Sequence, residues 1–487
     1  MKRSFSLQRK YRALSAPVKA SYWFLVCGVI QRGLGFLTTP IFTRLMSTTE
    51  FGAYNVYLSW HNIFSIFITL NLAAGVYLRG LVKYEEDKRS FSQSMYTLTA
   101  ALAVVWGLVI FVLQDPIAQL TDLSLGYLEL ILIDVFVCSF FQFWSAEQRV
   151  DFRYRGLVAL TLIHALLQTA AGILVVRSFE NKVLARVIVS VGSDVLFFAW
   201  LGVRPFLRKP VCIRPFYWKY GLRFNVPLIP HYLSQVVLNQ SDRIMIKKLV
   251  DASAAGLYSL AYSLASVANI VNTAIVNTLT PWLYRKIKEK DFAAINKQSI
   301  GILCLVAAVN LALVLIAPEV IMVLAPRSYY EAIYVIPPVT ASVFFIFLYS
   351  WFSVFEFYYE KTHLMTIASV CGAAANIALN YVFIRLYGYI AAGYTTLFCY
   401  MLYVVGHYYF MRRICVQKLD GLRVYNMKAI ILICLGFLLL CGVIMALYGS
   451  IVIRYIMVAA LAAAGIVFRR QILAVYTRIK GHEEIDQ

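Results

Sequence analysis

Stretches of roughly 20 mostly apolar residues, each long enough to cross a bilayer as a helix, follow one another along almost the whole chain. No other feature constrains the fold as much. Spans are predicted at 20–43, 52–77, 93–113, 125–146, 157–176 and 184–203, then at 224–246, 255–284, 298–323, 331–357, 364–385 and 389–411, with two more at 428–448 and 453–468. The composition agrees: 61% of residues are hydrophobic and 14% charged, against about 50% and 25% in a soluble chain. Disorder, a disulfide scaffold and a soluble enzyme are excluded. The expected fold class is an all-α polytopic membrane protein of about 14 transmembrane helices. The connections are too short to hold a soluble catalytic domain.

The net charge is +21. On a soluble protein that would suggest nucleic acid. Here Lys and Arg concentrate, more than threefold, on the side of the membrane that carries the N-terminus. Positive loops stay in the cytoplasm, so both termini are expected to be cytoplasmic, with no nucleic-acid partner. Met1–Lys19 is basic but leads into a run too long for a cleaved signal, and reads as a tail before an uncleaved first span. None of the nine cysteines forms a CxxC or Cys/His metal spacing, so no metal site is expected and they read as small buried apolar residues.

An internal repeat supports a two-lobed layout. At an offset of 204 residues Gln31 meets Gln235, Leu45 meets Leu249, Gly52 meets Gly256, Tyr54 meets Tyr258 and Ser59 meets Ser263. The offset equals six spans, an even number, so the halves cross the membrane in the same sense. Transporters with such parallel repeats bind substrate near the midplane where the halves meet. The expected organisation is an N-lobe over 1–208, a C-lobe over 209–420, and two extra spans with a cytoplasmic tail over 421–487.

Polar residues within spans usually face the bundle interior or a wet cavity. Gly28, Arg32, Gly35 and Thr39 share a face of span one. Arg32 sits near mid-membrane, there either to meet an anion or to pair with Asp134 or Asp194. Span seven carries the longest polar face, His231, Gln235, Asn239 and Asp242, with Pro227 and Pro230 predicting a bend at its start. Asp242 and Arg243 point about 100° apart on a helix, so at least one must meet another helix or a cavity. Tyr258, Tyr262, Ser266 and Asn269 line span eight, and Tyr54, His61, Asn62 and Ser65 the equivalent face of span two. Such faces suit sugar hydroxyls and equally suit helix–helix hydrogen bonds. Asn376 and Asn380 read as packing residues, and His164, Glu356 and His407 as single intramembrane groups. No phosphate-binding loop, HExxH or GxSxG occurs.

The stretch from Gln31 to Tyr54, QRGLGFLTTPIFTRLMSTTEFGAY, resembles the opening of the polysaccharide-biosynthesis flippases of the multidrug/oligosaccharidyl-lipid/polysaccharide exporter superfamily. Ser241–Ile246 with Ala255–Tyr262, and Asn376–Gly388 with Ala391–Gly393, resemble them too. The resemblance implies two six-helix lobes, two further C-terminal helices, and a partly cationic cavity worked by alternating access. It implies that the chain is not an enzyme but moves a polyprenyl-diphosphate-linked oligosaccharide across the bacterial inner membrane, from the cytoplasmic to the outer leaflet, for O-antigen, capsule or exopolysaccharide assembly. Membrane lipids and the pathway's polymerase and chain-length proteins are the implied partners. A diphosphate in low dielectric needs a cation such as Arg32 or Arg243 to hold its oxygens.

The candidate cavity set is therefore Arg32, Gln31, Asn62, His231, Gln235, Asn239, Asp242, Arg243, Tyr262 and Asn269. No cofactor is expected, and Asp134, Asp194 and Asp242 are the candidates for H+ or Na+ coupling. A cation-coupled multidrug exporter of the same superfamily is the nearest rival, although its cavity should be acidic. A membrane-embedded polymerase would need a larger outer loop.

Overall fold

The computed structural model describes residues 16–207, 212–359 and 362–467, and among them no strand occurs. The expected cytoplasmic tails fall mainly outside the described residues. Helix follows helix: α1 (Ala16–Leu45), α2 (Thr48–Thr69), α3 (Lys88–Val112), α4 (Leu125–Val150), α5 (Tyr154–Ser178) and α6 (Lys182–Val203). Then come α7 (Ile229–Leu249), α8 (Ala252–Lys288), α9 (Phe292–Leu315), α10 (Ile336–Tyr358), α11 (Thr362–Tyr387), α12 (Ala391–Lys418), α13 (Met427–Ala446) and α14 (Ile451–Val467). Each predicted span overlaps one of these helices, although spans two, seven, nine and ten also run over a neighbouring short element. Among the described residues, ten helices are long and apolar enough to cross a membrane on those grounds alone, or eleven with one bent pair. Helices α7 and α12 are diluted by polar side chains, and α14 has only 17 residues.

Helix starts follow local chemistry. Ser47 caps α2 in a reciprocal box with Glu50: its hydroxyl accepts from the Glu50 N–H at 3.2 Å, and the Glu50 carboxylate accepts from the Ser47 N–H at 2.7 Å. Asp251, at the same 204-residue offset, caps α8 by accepting from the Ala254 N–H at 2.7 Å. The repeat thus extends to the caps that begin the second helix of each half.

Span two is not continuous as predicted. After Thr69 the backbone of Leu70 (φ 47°) and Asn71 (φ 52°) turns left-handed, a conformation strained for non-glycine residues. A π-helical turn over Ala73–Tyr77 and a short helix, Leu78–Lys83, follow, so the chain is bent by 60°. The interruption frees the Leu70 carbonyl, which accepts from the buried Asn225 side-chain amide at 2.8 Å. Gly75 is required there, because a Cβ would lie 2.8 Å from Asn225 Oδ1. Where Pro227 and Pro230 predicted a bend, helix Pro215–Asn225 passes through a 3-10 turn, Val226–Leu228, into α7.

Packing divides the chain into two compact units, Met1–Gln240 and Ser241–Gln487, with the boundary inside α7. In the first, α4 packs on α2 and α6, α6 on α5, and α5 on α1. In the second, α10 is the core, packed by α8, α9 and α12, with 83% of its most apolar stretch buried. Helices α13 and α14 join this unit through α9, where Arg454 reaches Glu319 at 2.8 Å and donates to the Leu315 carbonyl at 3.3 Å.

Candidate functional site

Three polar clusters lie within the helices. The first is in the second unit, around Asp242. Its carboxylate is fully buried and accepts from Tyr258 of α8 at 2.5 Å, Asn380 of α11 at 2.6 Å and Thr396 of α12 at 2.9 Å. Asn376 extends the network: its oxygen accepts from Ser241 and from Asn380, both at 3.1 Å, and its amide donates to Thr396 at 3.2 Å. Thr395 donates to the Asn380 oxygen. A charge removed from water is tolerated only when its lone pairs are used, and this one is held by three helices besides its own. Asn376 and Asn380, read from sequence as packing residues, are therefore partners of the acid. Arg243, beside Asp242, turns elsewhere and lies 4.5 Å from the centre of the Tyr262 ring.

The second cluster is in the first unit. Asp134 of α4 and Asp194 of α6 are both buried. Each faces a histidine: His61 Nε2 of α2 stands 3.0 Å from Asp134, and His164 Nε2 of α5 stands 2.8 Å from Asp194. The sequence offered His164 as a single group and these acids as partners for Arg32, whose side chain lies outside the described residues; the fold brings each acid to a histidine. Glu356 and His407 in the second unit also form a pair, at 2.7 Å.

The third is a cavity of about 330 Å³ in the first unit. Gln31, Thr38, His164, Gln168, Arg186 and Ser190 supply its polar lining. The Arg186 guanidinium carbon lies 3.8 Å from the ring centres of both Phe42 and Tyr54. Stacking on two aromatic faces fixes the plane of the guanidinium and leaves its N–H edge as the direction for hydrogen bonds. Gln168 donates to Ser190 at 3.0 Å on the adjoining wall. Sequence reading missed Arg186, which sits one turn inside α6 where a cation is taken to snorkel outward. Its flanking run, Val183-Leu-Ala-Arg-Val-Ile-Val189, was the available signal.

Arg32 belongs to α1 by its backbone, but its side chain lies outside the described residues. Asn62 and Asn239 donate within their own helices, to the carbonyls of Leu58 at 2.9 Å and Gln235 at 2.7 Å. The buried His231 Nδ1 has no hydrogen-bond partner, and Asn269 is exposed.

Fold and clusters together define a polytopic helical membrane protein with polar groups organised inside each half, a transporter architecture. The profile described as polysaccharide biosynthesis protein matches residues 18–287, more than half of the chain. The chain belongs to that family, and is a flippase-like transporter by family and fold. It is similar to "Lsg locus putative protein 1" of Haemophilus influenzae, with 24% identity over 381 residues, covering 74% of this chain and 89% of the relative. It is also similar to a membrane protein of the same organism, with 22% identity over 365 residues, 72% and 87% of the two chains. Among solved structures, the lipid II flippase MurJ in an inward closed conformation superposes with a TM-score of 0.67 at 15% identity, covering 92% of this chain and 99% of that one. An inward-facing multidrug transporter of the MATE family gives 0.62 at 12% identity, covering 80% and 95%.

Proposed function

We propose that this chain turns a polyprenyl-diphosphate-linked oligosaccharide from the cytoplasmic to the outer leaflet of a bacterial inner membrane, feeding surface polysaccharide assembly. The observation that carries the reading is the cavity around Arg186. It combines a planar cation with amide, hydroxyl and aromatic surface, the groups that a diphosphate and a sugar require. Arg32 and Arg243 are the other cations proposed to meet the diphosphate as it crosses. Asp134, Asp194 and Asp242 are the acids proposed to couple the cycle to H+ or Na+, and alternating access is the proposed mode. Both termini are proposed to be cytoplasmic, and the polymerase and chain-length proteins of the pathway to be its partners. A cavity centred on an arginine is a poor receptor for cationic drugs, which favours this reading over the multidrug alternative.

The test is a leaflet assay. Purified protein is placed in liposomes with a lipid-diphosphate-linked oligosaccharide labelled on its sugar, and outer-leaflet label is followed with an ion gradient on and off. Gradient-dependent transfer, lost in Arg186→Ala and in Arg32→Ala, supports the proposal. Efflux of cationic dyes with no transfer of any lipid-linked sugar overturns it.

A further inference from the structure

We infer that the first unit contains a binding site for a divalent transition-metal ion of the zinc class, formed by His61, Asp134, Cys138, His164 and Asp194. The set is drawn from α2, α4, α5 and α6. Ligand atoms of Asp134, Cys138 and Asp194 lie within 4.8 Å of one another. The imidazole Nε2 atoms of His61 and His164 flank them, at 3.0 Å and 2.8 Å from the two carboxylates. Ligands of one zinc ion, bonded at about 2.0–2.3 Å, stand roughly 3.3–3.8 Å apart. Asp134, Cys138 and Asp194 form the core of the set, and each histidine stands at ligand-to-ligand distance from one carboxylate.

Two further observations point to a ligand. Both Nε2 atoms are buried, and each is in ion-pair contact with a single carboxylate. Tyr57, one turn before His61 on α2, is 2% exposed, and its hydroxyl has no hydrogen-bond partner. The charges of Asp134 and Asp194 are among those acting on that hydroxyl. A bound ion with its water would engage the ring nitrogens and the phenol together.

The donor set selects the ion. Na+, Mg2+ and Ca2+ take shells of oxygen, whereas imidazole and sulfur donors suit Zn2+, Co2+ and Ni2+. Charge agrees as well. The Cys138 thiolate and one carboxylate, with the second carboxyl keeping its proton and both imidazoles neutral, cancel a divalent cation, and a neutral complex is what a low-dielectric interior accepts. Cys138 follows Asp134 by one helical turn and adds a sulfur on the same face. Sequence spacing gave no hint of the site because four helices supply the ligands and only Asp134 and Cys138 share one.

The test uses the full chain without an affinity tag, purified in detergent, stripped with a chelator and titrated with Co2+. One saturable equivalent is expected, with the visible absorption of low-symmetry cobalt and a thiolate-to-cobalt charge-transfer band. Stoichiometric Zn2+ should displace it and raise the thermal midpoint. Cys138→Ser should lose the charge-transfer band and keep the visible bands. Asp134→Asn with Asp194→Asn should weaken binding by at least about 100-fold, with the metal-free midpoint showing that the variant folds. Absence of saturable binding to the wild-type chain, or binding undiminished in the double variant, would overturn the site. Neither result bears on which lipid is transported, so a failure here leaves the proposed function standing, whereas an occupied site leaves the coupling role to Asp242.

Discussion

The two halves use equivalent positions in opposite ways. Tyr54 in α2 and Tyr258 in α8 are related by the repeat, as are Thr38 in α1 and Asp242 in α7. In the second half Tyr258 donates to Asp242, and Asn380 and Thr396 close the space around it. In the first half Tyr54 stacks on Arg186, and Thr38 faces a cavity. The frame repeats down to the caps at Ser47 and Asp251, while its contents do not. A duplicated scaffold can hold one half rigid through a polar knot and leave the other half free to bind.

That contrast is broken most severely at Asp242. Asp242→Ala leaves three buried donors facing a hole, and should cost about 3–5 kcal/mol, read as a collapsed thermal midpoint and poor yield in detergent. Asp242→Asn, which keeps the shape, should cost less. If the alanine variant were as stable as the parent, the knot would be no clamp. Arg186→Ala should do the reverse: a midpoint within a few degrees of the parent, and flipping in the liposome assay reduced by about tenfold or more, one lost charge-assisted contact at 1.5–3 kcal/mol. Arg186→Lys should fail to rescue, since an ammonium cannot fill the slot between Phe42 and Tyr54 as a plane does.

Smaller effects sharpen the picture. Gly75→Ala drives a methyl into Asn225 and should destabilise by about 1–3 kcal/mol, whereas Asn71→Gly relieves a left-handed residue and should stabilise by about 1 kcal/mol. Thermal scans of both variants decide whether the kink is strained as drawn. The smallest effect concerns Asp291, in the turn between α8 and α9. Hydrogen bonds from Lys286 and from the Ala294 N–H hold its carboxylate below the usual range. Its stabilisation is therefore present above its unfolded value, about pH 4, and is lost as pH falls through the lower folded value. Asp291→Asn should flatten the acid limb of the midpoint-against-pH curve slightly.

Much of this was legible in the sequence, because a bilayer writes its thickness into the length of each apolar run. The succession of membrane-length helices follows from that, and Pro227 falls in the 3-10 turn before α7. The break after Thr69 does not, since Leu70-Asn-Leu-Ala-Ala-Gly75 reads as uninterrupted apolar helix and Asn225, which stabilises it, lies far along the chain. Asp242 announced itself as needing a partner, but its partners come from α8, α11 and α12, and no one-dimensional period connects them. Asp134 and Asp194 were read against Arg32 because opposite charge is the obvious match, whereas His61 and His164 sit opposite them only once four helices have packed. Arg186 escaped because a cation one turn from a helix end has an outward escape in principle, and only two aromatic rings show that it does not take it.

Helix α7 carries a consequence for how the protein is made. It holds His231, Gln235, Asn239, Asp242 and Arg243 in 21 residues and is absent from the helices apolar enough to cross on their own. Asp and Arg each oppose insertion by about 2.5–3.5 kcal/mol at the centre of a helix. The segment therefore has no stable existence in lipid by itself as it leaves the ribosome. Its hydrogen bond from Tyr258 of α8 to Asp242 offsets part of that cost, so insertion of α7 is expected to be coupled to that of α8. The order of biogenesis is set by a side chain whose partner has not yet been translated.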